Sequence, residues 1–319
     1  MTVVFKYDII VKSVQFNLCD SGSVGGVQPC QGWGRGFESR LSLLKILKVF
    51  FQDFFVVQLN PICKTCILIL RGDLMSQIEQ LQKLIDESKR IVFFGGAGVS
   101  TESGIPDFRS TDGLYHQEYA YPPETILSHT FFRRNPEEFY RFYRAKMLCL
   151  DAKPNAAHLK LAELERAGKL TAVVTQNIDG LHQKAGSKKV LELHGSVLRN
   201  YCMKCGKFHT AEFILQSEGI PRCECGGMIK PDVVLYEEGL DDQIMSEAIA
   251  QIASADLLII GGTSLVVYPA AGMIRYFRGD HLVLLNKSAT SADEHASLCI
   301  RDSIGEVLAQ IQTDEGGNV

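Results

Sequence analysis

Two thiol pairs, Cys202-Met203-Lys204-Cys205 and Cys223-Glu224-Cys225, stand 17 residues apart in a polar stretch. Thiolates at that spacing can close a tetrahedral site of four sulfurs around one Zn2+. All four positions are then taken by the protein, so none is open to water or substrate and the expected ion is structural. Lys204, Lys207, Arg222 and Glu224 make the stretch too polar for a cysteine-filled core. A redox disulfide would not call for two matched pairs. The CxC of the second pair departs slightly from the commoner CxxC. Cys63-Lys64-Thr65-Cys66 has no partner pair nearby and reads as coincidence, and Cys19, Cys30, Cys149 and Cys299 have no metal-site arrangement.

A second set of candidates follows short apolar runs. Gly95-Gly96-Ala97-Gly98-Val99-Ser100 comes after Lys89 to Phe94, and Gln176-Asn177-Ile178-Asp179-Gly180 after Leu170 to Thr175. Gly261-Gly262-Thr263-Ser264 comes after Asp256 to Ile260, and Asn286-Lys287 after His281 to Leu285. Glycine turns expose backbone amides that a phosphate can approach without a Cβ in the way. Asn177 and Asp179, with His194 ahead of the thiols, could supply water positioning, amide recognition and a general base. The glycines alone are weak, because they fall short of G-x-G-x-x-G. A single histidine is also more often a packing residue, the reading given to His116, His129, His158, His182, His209, His281 and His295.

Those polar ends need a scaffold that delivers them to one edge. The four apolar runs read as buried strands separated by helical patterns, as parallel crossovers require. Ile78, Leu81, Leu84 and Ile85 recur at helical spacing over about 76–88, just before the first strand. The expected fold class is therefore α/β, a Rossmann-like parallel sheet whose strand ends form a dinucleotide-type crevice. The stretch 199–229 is expected as an inserted metal-stapled module. A helical insert occupies 111–149, with Phe131, Phe139, Phe142 and Met147 as its core.

Length, charge and thiol content bound the rest. At 319 residues, two domains or one domain with an insert are expected. A net charge of −4 gives no electrostatic reason to bind nucleic acid. Lys45, Lys48, Asp53 and Lys64 interrupt the most apolar tract, so no membrane span is expected. Lys6, Asp8 and Lys12 break any secretory h-region, which leaves a cytoplasmic protein with reduced thiols.

Residues 1–74 differ in composition from the rest of the chain. Eight basic and five acidic side chains precede Met75, against 25 and 32 from there on. Gly36-Phe37-Glu38-Ser39-Arg40 can be encoded by GGG TTC GAG TCC CGN, the T-arm string of a transfer-RNA gene. Two readings stand: translated upstream DNA with Met75 as the start, or a genuine poorly ordered extension. Residues 313–319 form a short tail.

From Met75 to about 312 the sequence resembles the sirtuins, NAD-dependent protein lysine deacylases. The resemblance rests on GAGVSTESGIPDFRS at 96–110, PNAAH at 154–158, TQNIDGLH at 175–182, LHG at 193–195, the four cysteines, GTSLVVYPAA at 262–271 and the Asn286 turn. It is strongest toward the prokaryotic deacetylase branch. It implies a large Rossmann-like part (75–110, 150–198 and 230–312), a small zinc ribbon, and a cleft between them for NAD and acyl-lysine.

It also implies roles. His194 would take a proton from a ribose hydroxyl, and Asn177 would orient the ribose or a water, with Gln176 beside it. Gly96, Ala97, Gly98, Gly262, Thr263 and Ser264 would line the phosphates. Ile178 and Asp179 would hold the nicotinamide amide, Phe108 would cover the reacting carbon, and Arg109 would contact the cofactor. Asn286 would reach the adenosine ribose, with Thr101, Asp107, Lys287 and Cys299 as further cofactor contacts. Val233, Val234, Leu235, Tyr236, Leu265 and Val266 would hold the peptide as an added strand. The implied reaction consumes NAD and acetyl-lysine and yields nicotinamide and O-acetyl-ADP-ribose, in a protein expected to act as a monomer. The rival readings are a mono-ADP-ribosyltransferase, a deacylase for other acyl groups, and a non-catalytic NAD or ADP-ribose sensor.

Two departures stand out. The family's V-V-x-F-G-E segment here reads Val233-Val234-Leu235-Tyr236-Glu237-Glu238, with Glu237 in place of glycine, so the local loop shape and some peptide contacts need not follow the family. Members that prefer succinyl or malonyl lysine carry Tyr-x-x-Arg, which the run Tyr140 to Lys146 lacks. A neutral acetyl group is the expected substrate, because a buried acyl carboxylate would want its arginine.

Overall fold

Apolar runs flanked by helices close into a six-stranded parallel sheet. The computed structural model describes residues 77–107 and 121–313. The strands are β1 (Ile91–Gly95), β2 (Leu170–Thr175), β3 (Val190–Glu192), β7 (Leu257–Gly261), β8 (His281–Leu285) and β9 (Leu298–Ile300), in the order β3-β2-β1-β7-β8-β9. All six pair in parallel. The chain reverses its direction of travel across the sheet between β1 and β7. A crevice opens at that point beyond the carboxyl ends of the strands, where ligands of such sheets bind. The Rossmann-like reading holds.

Burial on both faces explains why the strands are continuous apolar runs rather than alternating ones. On one face Leu81 and Ile85, from the helical stretch 77–87 (α1), pack with Leu161 and Leu164 of α5 (Ala156–Arg166) and Leu308 of α9 (Ile304–Ala309). On the other, Ala248 and Ile252 of α8 (Asp242–Ser254) join Ala271 and Met273 of the 3₁₀ segment Ala270–Tyr276. Asn155 caps α5 by accepting from the N–H groups of Ala157 and His158, and its side-chain NH2 donates to Val99 O at 2.7 Å. The PNAAH motif thus anchors a helix to the turn after β1.

A second sheet is antiparallel: β5 (Phe208–His209), β4 (Gly195–Cys202), β6 (Ile229–Val233). Its two long strands reach beyond 199–229 on both sides, and Gly195 pairs with Val233. The helices α2 (Pro123–Ile126), α3 (His129–Arg134) and α4 (Pro136–Lys146) share a core with this sheet and with α7 (Ala211–Gln216). Phe139, Tyr140 and Tyr143 are buried there against Val197 and Ile229. Burial pushes the Tyr140 phenol well above its ordinary pKa, which keeps it a neutral donor to Ile229 O. The remaining helix, α6 (Leu181–Ala185), follows the TQNIDG turn.

The N-terminal 74 residues, Cys19, Cys30, Cys63, Cys66, His116, Phe108, Arg109 and the last six residues lie outside the described residues. Among the described residues, no helix is long and apolar enough to cross a membrane.

Candidate active site

Three strand ends and His194, two residues past β3, build one cavity of about 360 Å3. From β1 come Gly96, Ala97 and Gly98, and from β2 Gln176, Asn177, Ile178 and Asp179. The turn after β7 gives Gly262, Thr263 and Ser264, and His194 enters between β3 and β4. Two glycine turns touch backbone to backbone here. Gly98 N–H donates to Gly262 O at 2.8 Å, and a Cβ on Gly98 would stand 2.8 Å from Gly262 Cα. Such an approach excludes any side chain and leaves a cradle of main chain and hydroxyls suited to phosphates.

His194 is held in one tautomer. Its Nδ1 lies 2.9 Å from Gln176 O, and a carbonyl only accepts, so Nδ1 carries the proton and Nε2 is the free base. Burial lowers the imidazole pKa, and the hydrogen bond to Gln176 opposes that only in part. The ring is therefore neutral near pH 7, the state a general base needs.

Asn177 is fixed through a residue that spacing did not single out. Its side-chain NH2 donates to Ser100 Oγ at 3.0 Å, and Ser100 Oγ donates to Asp179 Oδ2 at 2.6 Å. The other oxygen of Asp179 accepts from Leu181 N at 2.9 Å. Ser100 is buried and sits in the wall of the cavity. Adjacency of β1 and β2 makes this three-residue chain, and only the sheet order reveals it.

The four cysteines converge as their spacing predicts. Their Sγ atoms all lie within 4.8 Å of one another, with separations of 3.5 Å for Cys202–Cys225, 3.7 Å for Cys205–Cys223 and 3.4 Å for Cys225–Cys205. A tetrahedron with Zn–S near 2.3 Å has S–S edges of about 3.8 Å. The set fits a structural zinc ion.

The Sir2 family model matches residues 96–269. Clostridium acetobutylicum has an NAD-dependent protein deacetylase 62% identical over 242 residues, covering 75% of this chain and 99% of that one. The chain belongs to the Sir2 family. Among solved structures it is similar to a Sir2–p53 peptide–NAD+ complex, at TM-score 0.65 and 43% identity over 72% of this chain and 95% of that one. It is also similar to a Sir2 complex with deacetylated p53 peptide and 3'-O-acetyl ADP ribose, at TM-score 0.68 and 42% identity over 73% and 96%.

Placement of the other expected residues in this Sir2 chain is uneven. Asp107, Val233, Val234, Leu235 and Tyr236 line the same cavity as His194. Asn286 does not line it but donates to the main chain of one of its lining residues, Thr263 O, at 2.8 Å. Thr101, Lys287 and Cys299 are not in the cavity wall: the Thr101 hydroxyl caps Gly98 O, and Cys299 packs on the second core face from edge strand β9. Leu265 is buried away from this cavity, and Val266 is exposed outside it. Met147 packs against the insert core as expected and also reaches the cavity from the end of α4, beside Lys146.

The turn around Glu237 keeps a glycine-like shape without the glycine. Glu237 has φ 76°, a left-handed conformation that side chains disfavour. Its carboxylate accepts from Thr130 N at 2.9 Å, which ties the turn to α3. Glu238 accepts from Leu235 N at 2.9 Å and pairs with Lys230 and His129. Both acids border the cavity beside Tyr236.

Proposed function

We propose that this protein removes acetyl groups from protein lysines, consuming NAD and producing nicotinamide and O-acetyl-ADP-ribose. The observation that carries the reading is the meeting of a neutral, tautomer-fixed imidazole with a serine-braced Asn–Asp pair over a glycine cradle. Bound NAD supplies an electrophilic ribose carbon and the hydroxyl that accepts the acetyl group. Backbone and hydroxyl groups of Ala97, Gly98, Thr263 and Ser264 hold its phosphates. Asp179 and the main chain of Ile178 receive the nicotinamide amide. Asn177 orients the ribose, and His194 Nε2 takes the hydroxyl proton.

Val233 to Tyr236 form one wall for an extended acetyl-lysine peptide. The apolar neighbours Ile105, Met147, Ile178 and Leu235 suit a neutral acyl group and exclude water around it. Four thiolates hold one Zn2+ that staples the second sheet and takes no part in the chemistry. One copy of the chain carries every residue invoked, which supports a working monomer. No disulfide joins the six described cysteines, which supports a reducing, cytoplasmic setting. The negative net charge supports a peptide rather than a nucleic-acid partner.

Incubating the protein with NAD and an acetylated peptide tests this. Nicotinamide and O-acetyl-ADP-ribose should appear in equal amounts with deacetylated peptide. Transfer of ADP-ribose to protein, or binding of NAD without turnover, would defeat the reading.

A further inference from the structure

The connection after β7 separates two hollows. Ser264 and Val267 line the cavity that holds His194, while Leu265 is buried in the wall of a second cavity of about 510 Å3, and Tyr268 borders both. The second hollow lies among the Ala270–Tyr276 segment, the start of β8 and the Asp293–His295 turn. Its floor is apolar. Leu265, Ala271 and Ala292 are buried there, with Ile274, Phe277 and Leu282 packed around them. Small side chains at Ala271 and Ala292 leave a space that a close-packed interior would fill. Its rim is polar: Arg275, Asp280 and His295 are exposed, and none makes a side-chain hydrogen bond or ion pair with another described residue.

We propose that this second cavity binds a small amphipathic organic acid. The ligand's apolar body rests on Leu265, Ala271 and Ala292, and its single acidic group meets Arg275. A guanidinium stays charged at any working pH and forks onto a carboxylate or sulfonate. His295 adds a donor, and Asp280 at the same rim repels a second acid, which limits the ligand to one. The volume falls within the roughly 300–1,000 Å3 of small-molecule sites. Occupancy is felt next door. Leu265 has φ 53°, and its N–H donates to Thr263 Oγ1 at 3.2 Å. The same oxygen accepts from Gln176 Nε2 at 3.1 Å. A ligand against Leu265 therefore shifts the Thr263 turn, and NAD must shift the ligand's affinity by the same factor.

The test is a fluorescence titration of the full chain with 8-anilinonaphthalene-1-sulfonate, a monoanion with an apolar ring system. One saturable site is expected, weakened at least tenfold by Arg275→Glu and at least tenfold by Ala292→Leu, which intrudes on the apolar floor. A naphthyl trimethylammonium probe should bind at least tenfold more weakly than the anion. Absence of binding, equal binding to folded Arg275→Glu, equal binding of the cation, or stoichiometric displacement by NAD or acetylated peptide would each overturn the site. A probe dissociation constant unchanged at saturating NAD would overturn the coupling through Leu265. Binding needs no turnover, so this result stands apart from the deacetylase assay.

Discussion

His194 Nδ1 donates to Gln176 O at 2.9 Å, and Gln176 precedes Asn177, so one turn fixes the base and orients the amide. His194→Ala should lower kcat by about 10²–10⁴-fold, the usual worth of a positioned base, and leave NAD binding near wild type. Stopped turnover with calorimetric NAD binding retained is the expected pair of results. Because burial lowers the imidazole pKa, the acid limb of kcat/KM should fall below the usual value of about 6.5. A limb above that value would contradict the environment of the ring.

Ser100 is the link between Asn177 and Asp179, and Ser100→Ala removes a donor to one and an acceptor from the other. Leaving buried polar groups unpaired costs about 1–3 kcal/mol. The expected result is a rise of about tenfold or more in KM for NAD with little change in KM for the peptide. Initial rates with each substrate varied in turn would show it.

Glu237→Gly relieves a left-handed backbone but removes the carboxylate that holds Thr130 N. The two effects oppose, so stability should change by less than about 1 kcal/mol. The peptide wall loses its tie to α3, and KM for the peptide should rise severalfold while KM for NAD stays constant. Equal peptide KM values would show that the tie does not shape the wall.

His158 and His182 are buried with ring centroids 4.7 Å apart, and desolvation is the main force lowering both pKa values. Both are neutral in the fold but take protons when unfolded, so stability falls as pH drops below about 6.5. Each contributes a slope of up to about 1.4 kcal/mol per pH unit there. Urea midpoints at pH 7, 6 and 5 should decline, and His182→Phe should flatten the decline.

Removing the metal with a strong chelator should loosen the second sheet first. Cys202 and Cys223 share a core with Tyr140 and Tyr143, so near-ultraviolet dichroism should drop along with the melting temperature. Cys225→Ser should reproduce that loss without chelator. A chelated protein with an unchanged melting temperature would show that the thiols need no ion.

The apolar runs of β1, β2, β7 and β8 were legible because each is five or six residues buried on both faces. Strands β3 and β9 were not, since three residues at a sheet edge carry no period. Spacing revealed the cysteine set because its ligands are local pairs. It could not reveal Ser100, whose partners lie 77 and 79 residues away and arrive only through strand order. A motif names a segment, but backbone direction decides where each side chain goes: Leu265 faces the second hollow, and Cys299 packs on a core face. Met147, just past the end of α4, was read as core and does pack there, while also touching the cavity.

Gly195 joins the two sheets directly after the His194 imidazole, with φ 75°, and a Cβ there would stand 2.0 Å from Asp232 O. No other residue fits, so the joint is as narrow as a peptide chain allows. Val234 N also donates to His194 O and Val197 N to Ile178 O, so a tilt of the cysteine-bearing half would reach His194 through several short backbone links. Loosening the thiol staple, remote as it is, would then be expected to disturb the aim of His194.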